Sequence, residues 1–378
     1  MFLRLGTTAF GGPAAHIAMM EDEVVRRRGW LTRDQFLDYL GATNLIPGPN
    51  STEMAMHIGQ TRAGLPGLVV AGVSFIAPAT LIVGALAWAY VRYGALPETI
   101  GILSGVKPVV IAIVAQALWG LGRSAAKTRG LAVLAGAAVV AAAAGVHELV
   151  ILVAAGSACA LVRVIPRPSR SSTIAALTAA AGASASSASG AVLSALSTVS
   201  TAPAPFGLWT LFLVCTKIGA VLFGSGYVLL AFLRADLVQR LGWLTEPQLL
   251  DAIAAGQVTP GPVLTTVTFI GYVLGGPAAA AAATAGIFLP AFVFVALSAP
   301  LVPRLRRSPT ASAVLDGVNV ASLALMAVVS WQLGRAALVD PLTVAIAGIA
   351  LLALVRYRVN SAWLIGAAAL IGLAATMA

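Results

Sequence analysis

Apolar runs of membrane-spanning length alternate with short polar connections along almost the whole chain. In the first half they cover residues 2–20, 67–89, 102–120, 130–145 and 147–162, and 278–302 is another. Runs of about 18 or more residues with almost no charge can cross a bilayer as helices. One stretch breaks this pattern. Asn44-Leu45-Ile46-Pro47-Gly48-Pro49-Asn50 separates two helix-patterned apolar segments, 36–43 and 54–58. Proline lacks a backbone N–H and clashes with the preceding turn, and the residue before it is pushed out of the α region. A helix therefore cannot pass through Pro47, Gly48 and Pro49. Inside a membrane such a break is tolerated only where protein or a water-filled cavity satisfies the freed backbone groups. Gln257-Val258-Thr259-Pro260-Gly261-Pro262 predicts a second break of the same kind.

The two breaks belong to a duplication. A shift of 213 places Gly29-Trp30-Leu31-Thr32 on Gly242-Trp243-Leu244-Thr245, and 11 of the 21 positions from 29 to 49 are identical. Phe10-Gly11 falls on Phe223-Gly224, and Arg4 falls on Lys217. With the shift reduced to 212, Trp119 matches Trp331 and Gly122-Arg123 matches Gly334-Arg335. Residues 166–205, rich in Ser, Ala, Thr and Pro, have the composition of a flexible linker. The chain thus divides into a first repeat, 1–165, a flexible cytoplasmic linker, 166–205, and a second repeat, 206–378.

Composition excludes a soluble protein. The 378 residues are 59% hydrophobic and 10% charged, with a mean hydropathy of +0.95, against roughly 25% charged residues in soluble domains. A net charge of +10 would suit nucleic acid if it formed one face, but it does not. The basic residues lie in short loops, at 26–28, 123–129, 163–170, 304–307 and 356–358. That distribution marks cytoplasmic loops and implies no nucleic-acid partner. Cys159 and Cys215 fall in apolar runs and make no disulfide framework. The start of the chain, interrupted by Arg4, does not read as a cleavable signal peptide. Phosphate loops, Cys/His metal spacing and nucleophile triads are absent, so neither an enzyme, a metal nor a cofactor is expected.

Charge also orients the two copies. The loop at 21–33 carries four Arg against three acids, whereas its counterpart at 234–246 balances two Arg with Asp236 and Glu246. Conversely Arg304-Leu305-Arg306-Arg307 is strongly basic and its counterpart near Arg92 is not. The expected fold is an all-α polytopic membrane protein with an inverted repeat. Each half has about five crossings plus one re-entrant segment broken at Pro-Gly-Pro, an architecture shared with many secondary transporters. In the second copy apolar sequence, 205–214, precedes the residue matching Met1. The first crossing is accordingly short: either the chain starts upstream, or tilt and thinning complete the span.

The candidate chemistry gathers at the breaks. Helix N-termini present unpaired N–H groups and a partial positive charge, and so bind anions. Neutral donors stand beside them: Asn44, Asn50, Ser51 and Thr52 in one copy, Gln257, Thr259, Thr265 and Thr266 in the other. Phe10-Gly11-Gly12-Pro13 and Phe223-Gly224-Ser225-Gly226 add two glycine-rich breaks, which close helix packing by small residues would equally explain. Arg4 and Lys217, equivalent cations inside apolar runs, either face a pathway or snorkel to an interface, and Lys107 has the same two readings. Snorkelling is harder for Lys217, 11 residues beyond Phe206. Four breaks and two paired cations without a fixed counter-acid describe an anion site. Glu53 and His57, one turn apart on one face, either relay a coupled proton or leave Glu53 to pair with an arginine. Thr266 stands at the counterpart of Glu53, and His16 is taken as structural.

Phe10-Gly11-Gly12-Pro13 with His16, Gly29-Trp30-Leu31, and Asn44 to Glu53 resemble the chromate transporter family. The second copy, from Phe223-Gly224-Ser225-Gly226 to Pro260-Gly261-Pro262, is similar to that family's C-terminal domain. The resemblance covers nearly all of the chain except the linker; the short start and the long Ser/Ala linker depart from it. It implies a long two-domain protein in the bacterial inner (plasma) membrane that exports chromate and confers chromate resistance. Uptake or exchange of sulfate, an anion of the same charge and shape, is the alternative within transport. A non-transporting membrane sensor or scaffold is the alternative from another class, though the chain shows no soluble domain to go with it. The expected partners are chromate or sulfate, the lipid bilayer and a second copy in a homodimer.

Overall fold

Both Trp-Leu-Thr-x-x-Gln motifs open a helix in the same way. Thr32 Oγ1 accepts from the Gln35 N–H while the Gln35 side chain accepts from the Thr32 N–H, and Thr245 and Gln248 repeat the exchange. The reciprocal cap satisfies two donors that a helix start otherwise leaves unpaired. The computed structural model describes residues 1–9, 12–125, 128–164, 205–223, 226–298, 309–357 and 359–377, and every regular element among them is helical. The linker at 166–204, Gly11, Gly224 and Arg304-Leu305-Arg306-Arg307 lie outside the described residues.

The first half comprises α1 (Phe2–Thr8), α2 (Gly12–Glu21) with a π-helical extension (Asp22–Arg27), α3 (Arg33–Thr43), α4 (Asn50–Tyr93), α5 (Pro97–Ala125), α6 (Arg129–Ala143) and α7 (Glu148–Val164). The second comprises α8 (Leu208–Val221), the turn Gly226–Val228 leading into α9 (Leu229–Leu233) and its π-helical extension (Arg234–Arg240), then α10 (Glu246–Val258). The turn Val263–Thr265, α11 (Thr266–Ser298), α12 (Pro309–Ala337), α13 (Pro341–Arg356) and α14 (Ser361–Met377) complete it. Four helical stretches, Asn50–Tyr93, Pro97–Arg123, Val263–Ser298 and Ser312–Ala337, are long and apolar enough to cross a membrane, and shorter apolar helices accompany them. The protein is an all-α, multi-pass membrane protein.

Each half begins with two helical hairpins. Arg4 Nη2 lies 3.0 Å from Glu23 Oε2, whereas 19 residues of straight helix would hold them about 28 Å apart. The run at 2–20, expected as one crossing, therefore folds back on itself: Pro13, in the first turn of α2, starts a new helix instead of continuing α1. Two hairpins and the helices that follow thus replace the expected five runs and one broken segment. The second hairpin is α3 with the first arm of α4. Thr61 donates to the Tyr39 hydroxyl at 2.9 Å, and the Arg62 guanidinium lies 4.8 Å from the centre of the Trp30 ring. α4 then reverses at Ala63 and Gly64, and its long arm, residues 65–93, returns past Gly59, where Gly67 leaves no room for a Cβ. The second half repeats this. Lys217 pairs with Asp236 at 2.6 Å, α11 reverses at Gly275 and Gly276, and Phe206 packs on both Trp243 and Gly275.

The halves interlock at the hairpin tips. The Gly48 N–H donates to Leu222 O at 2.7 Å, and the Gly261 N–H donates to Ala9 O at 3.1 Å. Under the shift of 213 each bond is the image of the other. A Cβ on Gly48 would lie 3.5 Å from Ala291 Cβ, and one on Gly261 3.0 Å from Ala79 Cβ; Ala79 and Ala291 are image positions under the shift of 212. Both glycines have φ that L side chains rarely adopt, +144 and +94, so both tips need glycine. A separate bundle of α5–α7 and α12–α14 packs alongside. In it Gly101 faces Thr376 and Gly372 while Gly105 faces Gly372 and Ala368, so α5 and α14 run antiparallel.

Gly48→Ala and Gly261→Ala should each lower stability by about 1 kcal/mol or more, read as a lower melting temperature of the purified protein. Gly84→Ala, where a Cβ meets nothing within 4 Å, should leave the melting temperature unchanged.

Candidate functional site

Among the described residues, both tips line a small, partly open cavity of about 20 Å³. Pro49, Asn50 and Ser51 line it from one half, and their counterparts Pro262, Val263 and Leu264 from the other. His16 and Gly226 close the sides. The Thr52 and Glu53 N–H groups bond to Pro49 O, and the Thr265 N–H bonds to Pro262 O. The first N–H groups of each helix, on Asn50, Ser51, Val263 and Leu264, stand outside the helical ladder. Two helix N-termini with partial positive charge thus face one space.

Of the donors expected from sequence, Asn50 and Ser51 reach this cavity. Asn44 is exposed and accepts from the Asn50 side chain at 2.8 Å. Thr52 is buried with its hydroxyl unpartnered. Thr259, Thr265 and Thr266 return their hydroxyls to carbonyls of their own turns, on Gly256, Pro262 and Val263. Those three hydroxyls are spent before any ligand arrives. Gln257 keeps its amide nitrogen buried and without an acceptor.

The cations correct the sequence reading more sharply, because each has a fixed counter-acid. Arg4 pairs with Glu23 and Lys217 with Asp236, and neither cation lines the cavity. Lys107 pairs with Asp251 at 3.0 Å. Glu23 and Asp236 were hidden in the sequence because they sit in the charged stretches after α2 and α9, which read as loops. Arg28, donating to Glu23 at 2.8 Å, with Arg4 and Arg27 nearby, holds the Glu23 carboxyl below the usual carboxylate range. Among the described residues Glu53 meets no arginine and neither of its oxygens has a hydrogen-bond partner, and it is fully buried beside Gly48. His57, one turn on, stacks on Tyr39 with ring centres 5.5 Å apart.

The two halves differ in their surroundings. α10 is buried, and Asp251 accepts from Tyr90 Oη at 3.0 Å and forms an ion pair with Lys107. Both partners come from the first half. α3, its image, is largely exposed: Leu37 is 47% exposed where Leu250 is 2%, and Asp38, the counterpart of Asp251, is exposed too.

The chain matches the chromate transporter family over residues 1–162 and 209–373, one block for each half of the interlocked pair. The chain belongs to this family. The chromate transport protein of Cupriavidus metallidurans is 32% identical over 386 residues, covering 99% of this chain and 91% of the relative. That of Pseudomonas aeruginosa is 32% identical over 378 residues, covering 98% and 90%. The probable chromate transport protein of Synechococcus elongatus is 30% identical over 356 residues, covering 93% and 87%. No solved structure matches the chain. Within a family of transporters, a cavity shared by two tips is the natural candidate for a substrate site. Sequence reasoning missed His16, Val263 and Leu264 in it. A lone histidine in an apolar helix gives no sign of its neighbours, and Val263 and Leu264 carry no polar side chain to mark them.

Removing one partner of the Lys107–Asp251 pair should cost about 3–5 kcal/mol. Asp251→Leu should therefore lower the melting temperature, and Lys107→Met combined with Asp251→Leu should recover most of the loss. A double variant as unstable as the single one would show that the pair is not what holds α10.

Proposed function

We propose that the protein is a secondary transporter that exports chromate across the plasma membrane of a bacterial cell and confers chromate resistance, with the anion held between the two tips. The observation that carries this reading is the convergence of two helix N-termini, one from each half, on one small cavity. N–H groups aimed into a low-dielectric space favour an anion, and their number suits the several oxygens of a tetrahedral one. A cavity of this size accepts about one water, so the oxyanion enters when the tips part. Asn50 and Ser51 belong to the site on this reading. Arg4 and Lys217 act through the hairpins they brace.

The antiparallel course of α5 and α14 supports an inverted repeat, with each pair of hairpins entering from its own side. We take the long arm of α4, α5, α6 and α7 as crossings. Arg27 then faces the cytoplasm and Arg240 the opposite side; Val164 and Pro205 then lie on opposite sides of the membrane, so this reading departs from the cytoplasmic placement expected for the whole stretch between them. The buried α10 and exposed α3 support access from the Arg27 side, with the exchange of these two environments as the transport step.

A dianion leaving an inside-negative cell gains roughly 2.3 kcal/mol per charge per 100 mV, so export needs no second ion. Glu53 and His57, buried in one half only, are the groups a proton-coupled cycle would use. Vesicles holding this protein alone, at fixed potential, should move chromate toward the positive side. Sulfate flux without chromate flux would favour sulfate exchange instead, and no flux of either would favour a sensor or scaffold. In a background lacking Cys159 and Cys215, a cysteine near Arg27 should label from the cytoplasm and one near Arg240 from outside. Labelling of both from one side would end the inverted reading.

A further inference from the structure

His16 breaks the symmetry of the cavity, because the shift of 213 places Leu229 at its position. It is 1% exposed, and its ring meets Phe75 edge to face at 5.6 Å. Its Nε2 lies 2.9 Å from Ala9 O, the same carbonyl that accepts from the Gly261 tip. A carbonyl oxygen can only accept, so Nε2 carries the hydrogen and the neutral ring keeps its lone pair on Nδ1. Nδ1 is buried and has no partner among the described residues. The N–H groups of Asn50, Ser51, Val263 and Leu264 suit the bare oxygens of an oxyanion. A lone pair does not; it suits a hydroxyl.

We propose that His16 Nδ1 receives the protonated oxygen of the substrate, so that the site takes chromate together with one proton, as hydrogenchromate, and discriminates against sulfate. The inference rests on the transport reading and names the form of the anion that the same cavity carries. Chromate takes up a proton near neutral pH, whereas sulfate, the conjugate base of a far stronger acid, does not. With sulfate, an oxygen lone pair would face the Nδ1 lone pair in a buried site, and a site built for a hydroxyl rejects an analogue that lacks it. The proton can rest on the anion or on the ring. In both cases the pair carries one proton and a net charge of minus one.

The ionisable groups on the elements around His16 are few. Arg4 of α1 is bonded to Glu23, and Glu21, the last residue of α2, lies near Arg33. The Val263–Thr265 turn brings none. α4 brings Glu53, one turn beyond Asn50, which is the one rival for the proton among the described residues at this end.

Vesicles holding the wild-type protein should move one charge per chromate, and the preference for chromate over sulfate should fall as pH rises from mildly acidic to mildly alkaline. His16→Gln, whose amide can donate to a bare oxygen, should lose about tenfold of that preference and flatten its pH dependence. Glu53→Gln should keep both. Two charges per chromate in the wild type would overturn the inference, as would an unchanged preference in His16→Gln or a pH dependence lost in Glu53→Gln alone. Should His16→Gln fail to accumulate, the wild-type charge per chromate decides. A wild type that moves neither anion would overturn the transport reading itself, and this inference with it.

Discussion

Two hydrogen bonds, Gly48 N–H to Leu222 O and Gly261 N–H to Ala9 O, hold the arrangement on which the rest depends. Each hairpin tip leaves the helix at a Pro-Gly-Pro sequence and frees backbone groups in a region without water. Each first helix of a half also ends there with carbonyls that lack helical donors. An unsatisfied group at that depth costs several kcal/mol. The tip of one half meets the helix end of the other, and the exchange is reciprocal. Neither half can satisfy its own break, so the halves are obliged to each other. The same exchange brings the N-termini of α4 and of the Val263–Thr265 turn face to face. The cavity is where two breaks are made compatible with a membrane interior.

The fixed charges are kept away from that cavity. Arg4 with Glu23 and Lys217 with Asp236 tie the two arms of the first hairpins. Arg33 with Glu21, and Arg234 with Glu246, join each first hairpin to the next helix with the signs exchanged between halves. Reversal of sign at image positions keeps the attraction, so the pairs serve the hairpins rather than a ligand. On the proposed transport reading, a site left with N–H dipoles, Asn50, Ser51 and one imidazole would attract an oxyanion without fixing it. A carrier must release what it binds, and a buried, permanent cation beside a dianion would work against release.

Much of this was legible in the sequence, and the parts that were not share a cause. The two Pro-Gly-Pro breaks and the repeated sequence around them are local patterns recurring at a nearly constant shift, and both breaks are present in the structure. The fold-back of residues 2–20 was not legible, because hydropathy does not say whether an interrupted run continues or reverses. Glu23, which ties the two arms together through Arg4, lies beyond the apolar run and looks like a loop acid. The hydroxyls of Thr265 and Thr266 looked available because their own carbonyl acceptors form only once the turn exists. His16 needed the longest reach, since its meaning comes from Ser51 and Leu264, residues distant in the chain that meet it only at the tips.

The duplication also shows where the copies have parted. Asp251 is gripped by Lys107 and Tyr90, and the positions that correspond to those two, under the shift of 212, are Asn319 and Val302. A charged pair with a supporting hydroxyl holds α10 against the first half, and the second half carries no lysine or tyrosine at the two corresponding positions. On the proposed inverted reading the two ends of the transport cycle are unequal in energy by construction. The state with α10 closed and α3 open is the lower one, and the site rests open toward the side of Arg27. For a carrier that clears an anion from the cytoplasm, that is the side on which it has to wait.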